Sequence, residues 1–217
     1  AGRPGNVFTN LSPLGGDPYV TYGNEPIFSN VDTWGATLEV NYDVGFGTIT
    51  SVTGYREFDD NLSSDYDASA ITGYHGERTQ THWQFSEELR IASDGSGPWN
   101  YVFGVYYLNQ AYDISNRQFG FIVNGTQFAN QDNTAYAVFG QIDYNATPEL
   151  VLTVGGRYSY EEKTFTNDPL GPVTASTFSS DWSDFSPKLG LSYKFSDDIM
   201  AYAQWQQGFR SGGYNGR

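Results

Sequence analysis

The chain has 217 residues, with 25 Asp and Glu against 11 Lys and Arg, a formal net charge of -14, no cysteine, and 17% aromatic residues. The charge excludes a nucleic-acid partner held by phosphate neutralisation, and the missing cysteines exclude disulfide staples, thiolate metal sites and cysteine nucleophiles. No window approaches the ~18 continuous apolar residues of a spanning helix, whereas a spanning strand needs only about 9–11 residues with alternate ones apolar.

Residues 1–31, with Pro4, Pro13, Pro18 and Pro26 and little alternation, predict an irregular arm or loop. Strand signals then run over 34–44, 47–59, 77–92, 99–115, 134–146, 150–164, 184–195 and 198–210, rich in Thr, Val, Tyr, Phe and Gly. Tight connections such as Val44-Gly45-Phe46 and Thr147-Pro148-Glu149 alternate with long ones over 60–76, 116–133 and 165–183. In an up-and-down sheet, all short connections then fall at one end and all long ones at the other. Outer-membrane barrels have this asymmetry, with short periplasmic turns and long extracellular loops.

Period-2 alternation is clear in several strands. Trp83, Phe85, Leu89 and Ile91 share a parity that Glu87 interrupts. Tyr136, Val138, Gly140, Ile142 and Tyr144 share one, as do Leu150, Leu152, Val154, Gly156, Tyr158 and Tyr160. The cleanest set is Phe185, Pro187, Leu189, Leu191, Tyr193 and Phe195 against Ser186, Lys188, Gly190, Ser192 and Lys194. The second, fourth and eighth strands carry apolar groups on both parities and leave their register open.

A soluble sandwich and a transmembrane barrel both explain such alternation. Rings near the strand ends on the apolar parity resemble lipid-interface girdles and favour the barrel, all-β, antiparallel and up-and-down, with about eight strands. If the first tight turn is periplasmic, both chain ends lie outside, whereas a complete barrel is expected to have both in the periplasm. The expectation is therefore a slice of a larger barrel, with 1–31 as an extracellular loop or arm and 32–217 as a partial barrel.

Several segments carry a resemblance. They are Thr48-Ile49-Thr50-Ser51-Val52-Thr53-Gly54-Tyr55-Arg56, Phe85-Ser86-Glu87-Glu88-Leu89-Arg90, Trp99 to Tyr107, Gly155-Gly156-Arg157-Tyr158, Phe185 to Lys194, and Gly208-Phe209-Arg210-Ser211-Gly212-Gly213-Tyr214-Asn215. In order and spacing they resemble the middle barrel region of TonB-dependent outer-membrane receptors. That resemblance implies a 22-stranded barrel in the bacterial outer membrane, plugged by an N-terminal domain. Such a barrel imports a scarce nutrient such as a ferric siderophore, cobalamin or glycan with energy from TonB. The implied partners are the remaining strands and plug, the TonB complex through the absent plug region, outer-membrane lipid and lipopolysaccharide, and the nutrient. Set beside that pattern, residues 1–217 are expected to be about the middle third of such a barrel, without its TonB box, plug and closing strand. A passive porin-like channel and a soluble structural or adhesive β domain are the alternatives.

Ligand contacts are expected on the outer loops, where Tyr66, Tyr74, Phe119, Phe121, Phe128 and Trp182 are the candidate substrate-binding rings. Arg90, Arg157, Lys188 and Lys194 are candidate lumenal charges, with Arg157 and Lys188 on a path for acidic solutes. Asp59, Asp60, Asp65 and Asp67 miss the EF-hand spacing and read as an acidic solvated loop. His75 and His82 make no convincing zinc pair. Glu87-Glu88 and Glu161-Glu162 point to opposite strand faces and lack a supporting nucleophile, so no enzyme, no metal site and no cofactor is expected.

Overall fold

The computed structural model describes residues 23–121 and 123–215. The expected arm therefore lies mostly outside the described residues. Eight strands follow in chain order: β1 (Phe28–Asp43), β2 (Gly47–Asp65), β3 (Tyr74–Ser93), β4 (Trp99–Gly120), β5 (Asn124–Asn145), β6 (Leu150–Asp168), β7 (Ser176–Lys194) and β8 (Met200–Gln206). They form one antiparallel sheet in sequential order. β1 and β8 are its two edges, so the sheet is not closed on itself.

Several boundaries differ from the sequence reading, and β8 ends at Gln206 where the sequence predicts strand to 210. β1 begins at Phe28, so 28–31 belong to the sheet and not to the arm. The stretches 60–76, 116–133 and 165–183 are mostly strand, and only 66–73, the link from Gly120 to Asn124, and 169–175 remain as connections. Pairs such as Gly76↔Gln118 and Asn130↔Thr166 carry the ladder through them. The ladder is a backbone property. Where both faces of a sheet meet water, it continues without any apolar alternation to announce it.

Register assigns every side chain to a face, including those of β2, β4 and β8. On one face, Ile91, Phe103, Gly140, Gly156 and Pro187 pair across five strands in a single row. Two rows nearer the long connections, Tyr107, Tyr136 and Tyr160 are cross-strand neighbours. Two rows toward the tight turns, Trp99 stacks on Tyr144, with ring centroids 4.2 Å apart. Trp99 and Tyr107 are eight residues apart on β4. At ~3.4 Å per residue that is about 27 Å of strand, or roughly 20 Å of height at a ~40° tilt, close to the ~25 Å apolar band of a membrane barrel.

Among the described residues no second layer covers this face. Leu38, Val105, Val138, Val154, Phe185 and Leu189 are each about half exposed, and the buried hydrophobic residues among those described are Ala129, Ala137 and Phe165. An apolar face of this extent does not belong in water. The sandwich alternative, which needs two packed sheets, is therefore not what the chain forms.

The opposite face is polar. It carries every strand-borne Lys and Arg except Arg117, because the parities of Arg56, Arg78, Arg90, Arg157, Lys163, Lys188 and Lys194 all fall there.

Reciprocal pairs lock β4 to β5. Phe103 lies opposite Gly140 on the apolar face, and Phe139 opposite Gly104 on the polar face. Each ring lies against the glycine across from it, so neither glycine has room for a Cβ.

Candidate functional site

The polar face of β4–β7 acquires a cover from the chain that follows β8. On the β8 side, the Pro187 carbonyl accepts from the Gln207 N–H at 3.0 Å. Proline has no N–H to return on that edge, and the ladder stops at Lys188↔Gln206. The chain then leaves the sheet as a strap, residues 207–215, across the polar face.

Lys163 pins the strap, donating from Nζ to the Ser211 hydroxyl at 2.7 Å and the Gly212 carbonyl at 2.8 Å. The same ammonium lies 3.1 Å from Glu161, which also accepts from the Asn133 amide at 2.9 Å. Beyond the pin, the Tyr214 ring stacks on Phe165 at 5.5 Å and on Phe178 at 6.1 Å, and meets Trp182 edge-on at 6.5 Å. Gly212 passes over the Trp182 indole with no space for a side chain.

Under the start of the strap is a pocket of about 390 Å³, with Phe139, Gln141, Arg157, Ser159, Lys188 and Gln207 in its lining. Arg157 donates from Nε to the Ser159 hydroxyl at 3.1 Å, and its guanidinium carbon lies 5.4 Å from the Tyr106 ring centre and 5.6 Å from that of Phe139. Lys188 donates to the Gln141 side-chain oxygen at 2.9 Å. No carboxylate lines the pocket.

The expected lumenal charges thus separate into two kinds. Arg90 is ion-paired to Glu88 at 2.7 Å and Lys194 to Asp197 at 2.7 Å. Arg157 and Lys188 form no ion pair among the described residues and share a site.

The expected ligand-gripping rings are not brought together. Tyr66 stacks on Tyr74 at 5.1 Å and covers Gly76 at the rim of the polar face. Phe121 is 71% exposed in its turn. Trp182 is on β7 within the aromatic cluster of the strap. Phe119 and Phe128 lie within β4 and β5 on the opposite, outer face. Phe119 contacts His75 at 4.7 Å and holds Arg117 4.8 Å over its ring, while Phe128 is half exposed.

The acidic stretch is an organised structure and not a solvated loop. Asp60, nearly buried, is ion-paired to Arg78. Asp65 accepts the Asn24 N–H at 3.1 Å and the Ala68 N–H at 2.9 Å, tying the entry to β1 onto the β2–β3 turn. Asp67 accepts the Ser69 and Tyr74 N–H groups at 3.0 and 2.5 Å. Burial on its own raises the Asp67 carboxyl, but hydrogen bonds from Ser69, Tyr74 and Gly73 outweigh it and hold the group below its ordinary value.

His75 and His82 point to opposite faces. His75 donates from Nε2 to Ser63, whose hydroxyl donates to the Pro26 carbonyl, and His82 pairs with Gln110. No group of three or more His, Cys, Asp or Glu suited to a metal ion occurs among the described residues. Glu87 is on the apolar face, held by Thr53 at 2.5 Å and Ser51 at 2.7 Å, while Glu88 is on the polar face.

Sequence reasoning missed Tyr106, Phe139, Gln141 and Ser159 around the pocket, and the strap over it. Their signal was available in part, since Phe139, Gln141, Arg157 and Ser159 occupy the polar parity of strands with clear alternation. The strap's only sequence mark is Pro187.

The whole of residues 1–217 matches the family model described as TonB dependent receptor-like, beta-barrel. Among solved structures, the chain is similar to the ferric yersiniabactin uptake receptor FyuA from Yersinia pestis, with a TM-score of 0.72 at 16% identity over 81% of this chain and 28% of that one. It is also similar to the siderophore receptor PiuA from Acinetobacter baumannii, at 0.67 and 14% over 85% and 33%. The Ferric-Catecholate import receptor Fiu from E. coli K12 matches at 0.60 and 12% over 85% and 36%. The chain thus spans about a third of the length of these structures.

Proposed function

Because the chain belongs to the TonB-dependent receptor-like β-barrel family, whose members are bacterial outer-membrane proteins, we propose that it forms part of the wall of a receptor that takes up a scarce nutrient with energy passed by TonB. One observation carries this reading. A single sheet has an uncovered apolar face bounded by aromatic rows, and its cations are gathered on the other face. Lipid covers the first face and the barrel interior meets the second. The end with connections 66–73 and 169–175 faces outward, and the tight turns face the periplasm.

The nutrient class we assign is an iron chelate, in keeping with the similar structures, which are receptors for ferric yersiniabactin, a siderophore and a ferric catecholate. Cobalamin and glycans are the competing cargoes. The remaining strands, a plug inside the barrel, the TonB complex and lipopolysaccharide are the partners this role requires. The edges of β1 and β8 need neighbouring strands, because lipid cannot satisfy unpaired backbone groups.

The test is uptake by cells carrying the full receptor, with and without TonB. Accumulation of a ferric siderophore that requires TonB supports the reading. Equal accumulation without TonB makes the protein a diffusion channel, and growth support by cobalamin or a glycan alone replaces the cargo.

A further inference from the structure

The pocket beneath the strap brings together two cations that have no ion-pair partner, in a chain with a net charge of -14. Elsewhere on the polar face, Arg78, Arg90, Lys163 and Lys194 each have a carboxylate within ion-pairing distance. Among the described residues Arg56, Arg157, Lys188 and Arg210 form no ion pair, and of these Arg157 and Lys188 share one pocket, although acids stand nearby on the same face. Asp143 is taken up by the Gln141 amide at 2.9 Å and the Thr153 hydroxyl at 2.5 Å, and Asp184 accepts from Ser186 at 3.3 Å.

The donors that remain have a definite form. Arg157 uses Nε on Ser159 and rests against two rings, which orients its planar fork and leaves the terminal nitrogens without a carboxylate. Lys188 uses one of its three N–H groups on Gln141. A guanidinium fork beside an ammonium suits a planar two-oxygen acceptor, which one nitrogen pair grips bidentately while the other cation neutralises it. The Tyr106 and Phe139 rings thin the water around that contact and so reduce its screening. Gln207, Gly208 and Phe209 of the strap close one side of the pocket.

We propose that Arg157 and Lys188 form a carboxylate-binding site in the barrel interior, bounded by the strap. The site rests on the reading of the polar face as the barrel interior. Its carboxylate comes either from an acidic solute or from an acidic side chain elsewhere in the parent polypeptide.

The test uses the full-length receptor in detergent and reads the reaction of Lys188 with an amine-acylating reagent by mass spectrometry, with ion-paired Lys163 as internal reference. A bound carboxylate favours the charged ammonium, and one unit of pKa change slows acylation about tenfold. Citrate, the soluble probe, is expected to slow Lys188 by that factor in the native protein. Arg157→Gln is expected to abolish the protection and Arg157→Lys to restore part of it.

Carbodiimide coupling separates the sources. An isopeptide link from Lys188 to an acidic residue elsewhere in the polypeptide, with slow acylation even without citrate, identifies a protein carboxylate. Citrate protection without a link identifies a solute site. Acylation that is fast with and without citrate, unchanged by Arg157→Gln and accompanied by no link, overturns the proposal. TonB-dependent uptake is scored separately, so its absence with Lys188 protection intact removes the transport reading and leaves the carboxylate site.

Discussion

The Phe103 ring lies over Gly140 on the neighbouring strand, directly opposite it in the ladder and against the space a Cβ would need. One residue along, Phe139 covers Gly104 on the other face of the sheet. Two Phe-Gly dipeptides in antiparallel register thus brace β4 and β5 from both sides. A one-residue slip would put ring against ring in one direction or glycine against glycine in the other, so the motif also fixes register.

Gly140→Ala is expected to destabilise the receptor by about 1–3 kcal/mol, the usual cost of forcing a carbon into a filled contact. Phe103→Leu in the same molecule is expected to recover part of that loss, since the two positions share one contact. Denaturant unfolding in detergent, followed by tryptophan emission, reads both. Additive losses in the double variant would show that the ring and the glycine are not coupled.

Glu87 is the one charged group in its row of the apolar face, which it shares with Tyr107, Tyr136 and Tyr160. A carboxylate near the lipid interface costs little, about 0–1 kcal/mol, and the hydroxyls of Ser51 and Thr53 satisfy it. Glu87→Leu is expected to leave stability within about 1 kcal/mol. Removing both hydroxyls while keeping the acid is expected to cost about 1–3 kcal/mol, because the carboxylate is left unsatisfied. Thermal unfolding of Glu87→Leu beside a Ser51→Ala, Thr53→Ala double variant checks the order.

Asp67 makes the β2–β3 turn sensitive to acid. Its carboxyl is held below its ordinary 3.8 by hydrogen bonds from the turn it organises. A depressed carboxylate contributes stability that is fully present above 3.8 and is lost as pH falls through the lower folded value. Amide exchange at Ser69 and Tyr74 is therefore expected to speed up beyond its intrinsic pH trend in that acidic range. Asp67→Asn should remove the excess, and an unchanged profile in that variant would discard this assignment.

Lys163→Met is expected to free the strap, because it removes the donor to Ser211 and Gly212 and leaves Glu161 without its cation. Exchange at residues 208–213 should rise, and Trp182 emission should shift to the red as Tyr214 and Gly212 withdraw from the ring. Emission and exchange that match the native protein would mean that the Tyr214 stack alone holds the strap.

How much was legible depended on position along each strand. Between the aromatic rows, one side must meet lipid and the other the interior. Tyr136 to Tyr144, Leu150 to Tyr160 and Phe185 to Tyr193 therefore announce their faces by composition. Nearer the long connections both faces are largely polar, and the ladder through Gln118, Asn130 and Thr166 leaves no trace that distinguishes strand from loop. For this reason Phe119 and Phe128 read as loop rings in the sequence and are strand residues in the structure. The site was half legible, since the parity of Arg157 and Lys188 was readable and their lack of carboxylate partners was not.

By its own residues the chain settled its all-β character, its sequential hairpins and the apolar side of the strands with clean alternation, because side-chain direction along a strand repeats every two residues. The tertiary structure alone decided the faces of β2, β4 and β8, the inward fold of residues 207–215 and the meeting of Arg157 and Lys188 in one pocket without an acid. Those depend on which residue of one strand stands opposite which residue of the next, and backbone hydrogen bonding between strands sets that correspondence.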